Sequence, residues 1–274
     1  QHVCVGPSAP VRVDVVDDRG HAGAIQGWCW FRPRDEARVV VPGTDVQLDA
    51  ATALLMTGRS EDAKTRAETV LKTNPKNVRA LVLRAGADAG LRETNAAIDS
   101  LNEAIKIDPT RSETYSDLAT LQFIQGKPEA EAGFKQAITV DPKSVEARLA
   151  LANYYWLTNR RKEAEDAVVG AVNVDEKSEI ANLTLASLYN ATGRVTEAEA
   201  PLKRAVDSNK SPQLRLRLAD YYVALKRNGD ARAILTELAK DKVASAAARS
   251  RLAGIEYEEG NPDAAHKMVD DLIA

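Results

Sequence analysis

Two carboxylate pairs have a spacing that acid–base chemistry could use, Glu163-Ala164-Glu165 and Glu197-Ala198-Glu199. A hydrolase of the two-carboxylate kind needs one acid and one base held across a scissile bond. Here the same Glu-Ala-Glu triplet recurs at a fixed interval, which marks solvated helix faces rather than a single catalytic pair. The other chemistry-bearing residues are dispersed. His2, His21 and His266 are far apart, and none belongs to a two-histidine helical metal motif. Cys4 and Cys29 match no zinc-ligand spacing; they read either as one disulfide in an oxidising compartment or as two free thiols. No glycine loop is built to cradle phosphate, and no serine sits in a nucleophile elbow. The expectation is a protein without catalytic residues, metal or cofactor.

The residues best suited to a function are those suited to binding. Asparagine amides donate and accept hydrogen bonds at once and so pair with a peptide backbone. Asn153 and Asn190 are such residues, and Phe123, Trp156 and Asp220 fall in comparable helical places. With Thr120 and Ser187 they are expected to line one strip. Trp156 would supply a large apolar anchor there. Tyr155, Tyr189 and Tyr222 share a neighbouring register and are expected to pack in the core.

What must position these residues is a repeat. One alanine series runs Ala51, Ala85, Ala119, Ala152, Ala186, Ala219, Ala253, and a second runs Ala63, Ala97, Ala130, Ala164, Ala198, Ala231, Ala265, in steps of 33 or 34 residues. A small side chain where two helices cross lets their axes approach to about 8–10 Å. Leu118, Leu151, Leu185, Leu218 and Leu252 each precede a first-series alanine. Leu101, Phe134, Val168, Leu202, Leu235 and Val269 each follow a second-series alanine by four residues, on the same helical face. Gly58, Gly126, Gly193 and Gly260, with Asn159 in the same place, fall where a left-handed helix cap is expected. Asn74-Pro75, Asp108-Pro109 and Asp141-Pro142 separate the units, and Asp175-Glu176 keeps only the aspartate. Pro201, inside an expected second helix, should kink it or remove a backbone bond.

These residues resemble the tetratricopeptide repeat. The resemblance implies an all-α, right-handed α-solenoid of antiparallel helix pairs in seven units: 44–77, 78–111, 112–144, 145–178, 179–211, 212–245 and 246–274. The second unit departs most, with Arg84 and Asp88 in places usually apolar. The fold implies a scaffold that binds a protein or peptide in a concave groove lined by Phe123, Asn153, Trp156, Asn190 and Asp220. The Lys, Asn and Arg set by which some relatives hold a peptide carboxylate is absent; Ser116, Leu149, Ala150 and Thr184 stand there instead. The runs 141–148 and 193–202 are similar to bacterial repeat proteins of the envelope linked to exopolysaccharide export. That implies a periplasmic or extracellular setting. Two other classes stay open: a structural subunit stacking end to end into a filament, and a targeting fragment of a larger enzyme.

Residues 1–43 do not follow the repeat. Val11–Val15 alternates as a short strand, Arg38–Val41 reads as a second, and Trp28-Cys29-Trp30-Phe31 lies between them. The segment reads as a cap over the first helix pair, as a small docking module, or as a piece foreign to the array. The chain opens on Gln1 with no basic-then-apolar leader, which reads as a processed chain or a fragment. The formal net charge of −3, with both signs interspersed, lacks the basic face of a nucleic-acid binder. No apolar run reaches the roughly 20 residues of a membrane span.

Overall fold

The computed structural model describes residues 11–16, 22–27 and 43–273. The expected first strand is present as β1 (Val11–Val16), paired antiparallel with β2 (Ala22–Gly27) so that Val11 faces Gly27 and Val16 faces Ala22. The partner strand was not expected, because Ala22–Gly27 is rich in Ala and Gly and carries little β-propensity of its own. Arg38–Val41 and the Trp28–Phe31 cluster lie outside the described residues.

The chain divides into two compact units, residues 1–130 and 131–274. The first holds α1 (Thr44–Met56), α2 (Ser60–Thr73), α3 (Val78–Gly90), α4 (Thr94–Ile107) and α5 (Ser112–Ile124). There α1 packs on α2, α3 on α4, and each pair on the helix that follows it. The next helix, α6 (Ala130–Val140), leads into the second unit. The second unit continues with α7 (Val145–Leu157), α8 (Arg161–Val174), α9 (Glu179–Ala191) and α10 (Glu199–Ser208). It closes with α11 (Pro212–Ala224), α12 (Asn228–Leu238), α13 (Ser245–Glu258) and α14 (Pro262–Ile273). Here α7 pairs with α8, α9 with α10, α11 with α12 and α13 with α14. From residue 44 to 273 the fold is the all-α array of helix pairs that the alanine series demanded.

The alanines carry that packing. All fourteen are 4% exposed or less, whereas neighbouring helix residues reach solvent. The apolar residue four places after each second-series alanine is equally closed, with Leu101 at 1%, Val168 at 1% and Leu235 at 0%. On α14 the same place, Val269, is 41% exposed, and Ile273 is 80% exposed. The side chain is the same kind; what differs is the absence of a following helix pair among the described residues.

Local chemistry starts and stops the helices. Asn77, Ser144, Ser178 and Ser211 cap α3, α7, α9 and α11, each accepting a hydrogen bond from the backbone N–H three residues on. Between repeats Asp108, Asp141 and Asp175 each accept the backbone N–H two residues on. The aspartate thus makes the turn, which is why Asp175 suffices where proline has given way to Glu176. Gly58, Gly126, Gly193, Gly260 and Asn159 all have positive φ, as their spacing predicted. Arg92 and Lys226 hold the same left-handed place in the second and sixth repeats, at 65° and 58°. Pro201 removes one backbone donor, as expected, and the second helix of the fifth repeat is α-helical only from Glu199, whereas its counterpart α8 is α-helical from Arg161. A 3₁₀ turn (Val195–Ala198) precedes the helix, and Pro201 falls in the first turn, where no intrahelical partner is needed for its missing N–H.

Candidate functional site

Within the second unit a cleft of about 270 Å³ opens between α7 and α9, lined by Leu149, Ala152, Asn153, Trp156, Thr184, Ser187, Leu188 and Ala191. Each helix is amphipathic in three directions: one face closes on its pair, one on the neighbouring pair, and a third borders the cleft. Ala152 and Leu188 form the buried floor, at 3% and 7% exposure. Asn153 and Ser187 are exposed at the rim, and Trp156 is half-buried along one wall. Trp156 is fixed from behind. The Arg161 guanidinium lies 3.6 Å from its ring centre, and Arg161 Nη1 donates to the Trp156 carbonyl at 3.3 Å. The indole therefore presents its remaining face and edge without having to be ordered on binding. Thr184 turns its hydroxyl back to the Ile180 carbonyl at 2.7 Å and offers the cleft its methyl group.

The first unit contains a smaller version of this cleft, about 190 Å³, between α3 and α5. Val82, Ala85, Gly86, Ala89, Asp117, Thr120 and Leu121 line it, in the same repeat positions as Leu149, Ala152, Asn153, Trp156, Thr184, Ser187 and Leu188. Gly86 and Ala89 stand where the second unit has Asn153 and Trp156, so this copy has neither the amide nor the anchor. Asp117 replaces Thr184, and its carboxyl is pushed above the usual range, first by desolvation against the cleft wall and then by the Glu113 charge. The two clefts share a backbone and differ in chemistry.

Of the residues expected to form one strip, the cleft brings together Asn153, Trp156 and Ser187. Asn190 is exposed on α9 but does not line it. Asp220 is clasped by Arg251, with Nε and Nη2 at 2.5 and 2.9 Å from its two carboxylate oxygens, so its charge is already matched. Phe123 is half-buried near the end of α5 in the first unit, and Thr120 lines the smaller cleft there. Tyr155 and Tyr222 are buried at 7% and 4%, as expected of core residues, while Tyr189 is half-buried. Leu149, Ala152, Thr184, Leu188 and Ala191 also line it and were not expected to. Their signal was the register itself, since Leu149, Ala152 and Trp156 on α7, and Thr184, Leu188 and Ala191 on α9, recur at steps of three and four. Among the described residues no group of three or more His, Cys, Asp or Glu side chains could hold a metal ion, and no helix is long and apolar enough to cross a membrane.

A family model described as tetratricopeptide repeat matches residues 48–112 and 216–267. Small glutamine-rich tetratricopeptide repeat-containing protein 2 of Saccharomyces cerevisiae is 28% identical over 110 residues, 40% of this chain. The match spans 32% of that protein, about a third of its length. Among solved structures, a thermophilic TPR protein of Thermus thermophilus, TTC0263, matches with a TM-score of 0.54 and 24% identity, over 66% of this chain and 100% of that one. PilW, described as a widely conserved type IV pilus biogenesis factor, matches with a TM-score of 0.53 and 20% identity, over 74% of this chain and 94% of its own. At these identities the two structures show a shared fold.

Proposed function

The chain belongs to the tetratricopeptide-repeat family, whose fold serves as a protein-interaction scaffold, and from that premise we propose that the cleft between α7 and α9 binds a segment of a partner polypeptide. The observation that carries the reading is the composition of this cleft. It has an apolar floor, one indole pinned at the wall, and one exposed rim amide. An apolar side chain of the partner fills the space against Leu149, Leu188 and Trp156. Asn153 takes the partner's backbone N–H and C=O through its separate amide acceptor and donor atoms, a pairing that an ionised carboxylate, which only accepts, does not offer. Binding, not catalysis, is the function. An envelope or exopolysaccharide-export assembly is the setting suggested by the sequence resemblance of residues 141–148 and 193–202.

The test is peptide selection from a random displayed library against the whole chain, followed by titration of the selected peptide. Asn153→Ala combined with Trp156→Ala should weaken that peptide at least tenfold while the melting temperature stays within a few degrees. Undiminished affinity in the double variant would place binding elsewhere on the fold.

A further inference from the structure

Seven times among the described residues a first helix ends in the same backbone device. The N–H of the residue after the left-handed position bonds back to a carbonyl five residues earlier, as in Arg160 to Tyr155 at 2.8 Å and Arg194 to Tyr189 at 2.9 Å. The bond holds these two side chains side by side. In the fourth, fifth and sixth repeats they are Tyr and Arg, and the guanidinium lies over the ring at 4.3, 4.5 and 4.5 Å for Arg160–Tyr155, Arg194–Tyr189 and Arg227–Tyr222. Each arginine then reaches the preceding repeat. Arg160 pairs with Glu131 at 2.6 Å, Arg194 with Glu165 at 2.6 Å and Arg227 with Glu199 at 2.5 Å. The glutamate is always the residue directly after a second-series alanine. Tyr155 and Tyr222 add O–H donation to Glu131 and Glu199 at 3.0 Å. Glu165 and Glu199, read from sequence as solvated faces, are therefore junction residues. A periodic carboxylate looks alike in both roles until its neighbour across the junction is placed.

At two other junctions the residue after the second-series alanine is a base instead, and the places that meet it hold acids or, once, an amide. Between the first and second repeats they are Lys64, Asp88 and Glu93, with Lys64 Nζ at 2.9 Å from Asp88 and 2.5 Å from Glu93. Between the sixth and seventh repeats they are Arg232, Glu256 and Asn261; Arg232 pairs with Glu256, and Asn261 donates to Glu256 at 3.0 Å. A fourth place changes in step. Three residues after Arg160, Arg194 and Arg227 stand Glu163, Glu197 and Asp230, each bonded to its arginine. Three residues after Glu93 and Asn261 stand Ala96 and Ala264, where an acid would repel or go unused. Asp88, an outlier to the apolar pattern, is explained by this inversion. Between the second and third repeats the places hold Ile98, Gln122 and Lys127, and Ile98 packs with Leu101 and Leu121 instead.

We propose that these clusters are a neighbour-recognition code, in which the sign of the charge after the second-series alanine selects which first helix is accepted next. The alanines and leucines at the helix crossings repeat from unit to unit, so they say little about which unit should follow which. A chain of near-identical units could pair a second helix with the wrong first helix, within the chain or between chains, at little packing cost. Matched polarity favours the right neighbour, and reversed polarity sets like charges a few ångströms apart.

The junction between α8 and α9 tests this by hydrogen exchange on the full chain. Glu165→Lys or Arg194→Glu alone should speed exchange of α8 and α9 amides about tenfold relative to α3 and α4. Glu165→Lys with Arg194→Glu and Glu197→Ala, which copies Lys64, Glu93 and Ala96, should return exchange to within about threefold of the parent. Glu165→Gln, which removes the charge without reversing it, should fall between. The code is overturned if neither single reversal speeds exchange, or if the combined set exchanges as fast as Arg194→Glu alone.

Discussion

Leucine in place of Ala152 and leucine in place of Ala186 should behave differently, although the two alanines hold the same repeat position and are 3% and 1% exposed. Ala186 belongs to a closed cluster with Ala198, Leu202, Leu218 and Ala219. Three added carbon atoms there must displace neighbours, at about 1–3 kcal/mol. For a chain of this size that corresponds to a melting temperature lower by roughly 2–10 °C. Ala152 instead forms part of the floor of the 270 Å³ cleft. A leucine at Ala152 can turn into that space, and each methylene it shields from water returns up to about 0.8 kcal/mol. That gain offsets most of the crowding, so Ala152→Leu should stay within about 1 kcal/mol of the parent. The same side chain occupies the volume proposed for a partner, so peptide binding should fall sharply in a protein that still melts normally. Circular-dichroism melts and titration of one selected peptide read both effects. If Ala152→Leu melts as low as Ala186→Leu, the cleft floor is as tight as the core. If it binds peptide undiminished, the cleft is not the site.

Two further outcomes follow from particular contacts. Lys135, then Arg160 and Tyr155, hold the Glu131 carboxyl down to about 2, and Lys203, Arg227 and Tyr222 do the same for Glu199. A depressed carboxylate stabilises the fold above its unfolded value, about 4.3, and loses that contribution as pH falls toward 2. With both side chains about a quarter exposed, solvent screening leaves about 1 kcal/mol each. The gap in urea midpoint between parent and Glu131→Gln should therefore be open at pH 6 and fall to about a quarter of that at pH 2.5; a gap independent of pH would refute the assignment. Asn182 is 0% exposed and donates to the Glu176 and Ser178 carbonyls at 2.9 Å while accepting from Arg204 Nε at 2.8 Å. Asn182→Ala leaves the Glu176 carbonyl and Arg204 Nε without this partner, while the Ser178 carbonyl keeps the backbone N–H of residue 182; it should cost about 2–4 kcal/mol in urea unfolding, and a loss below about 0.5 kcal/mol would show that water replaces the amide.

Some of this architecture was legible because it depends on backbone geometry that only certain residues tolerate. Two helices cannot cross closely over a large side chain, so the alanine series announced the pairs. A left-handed cap tolerates glycine and asparagine, so Gly58, Gly126, Asn159, Gly193 and Gly260 marked the helix ends. Arg92 and Lys226 hold the same conformation without any local sign, because their strain is offset by packing elsewhere.

The cleft between α7 and α9 was legible as a register and not as a cavity. Counting along α7 and α9 set Asn153, Trp156 and Ser187 on a common side. Only the structure decided that a cavity lies there, that Asn190 falls outside it, and that Asp220 is neutralised by Arg251. The same limit applies to Glu131, Glu165 and Glu199, whose partners sit on the next helix pair, nearly a whole repeat away in sequence. Periodicity reports the face a residue shares with its own helix, since that depends only on spacing along the backbone. Which side chain meets it from the neighbouring helix depends on how the pairs stack, and that is set by the sum of contacts along the whole interface.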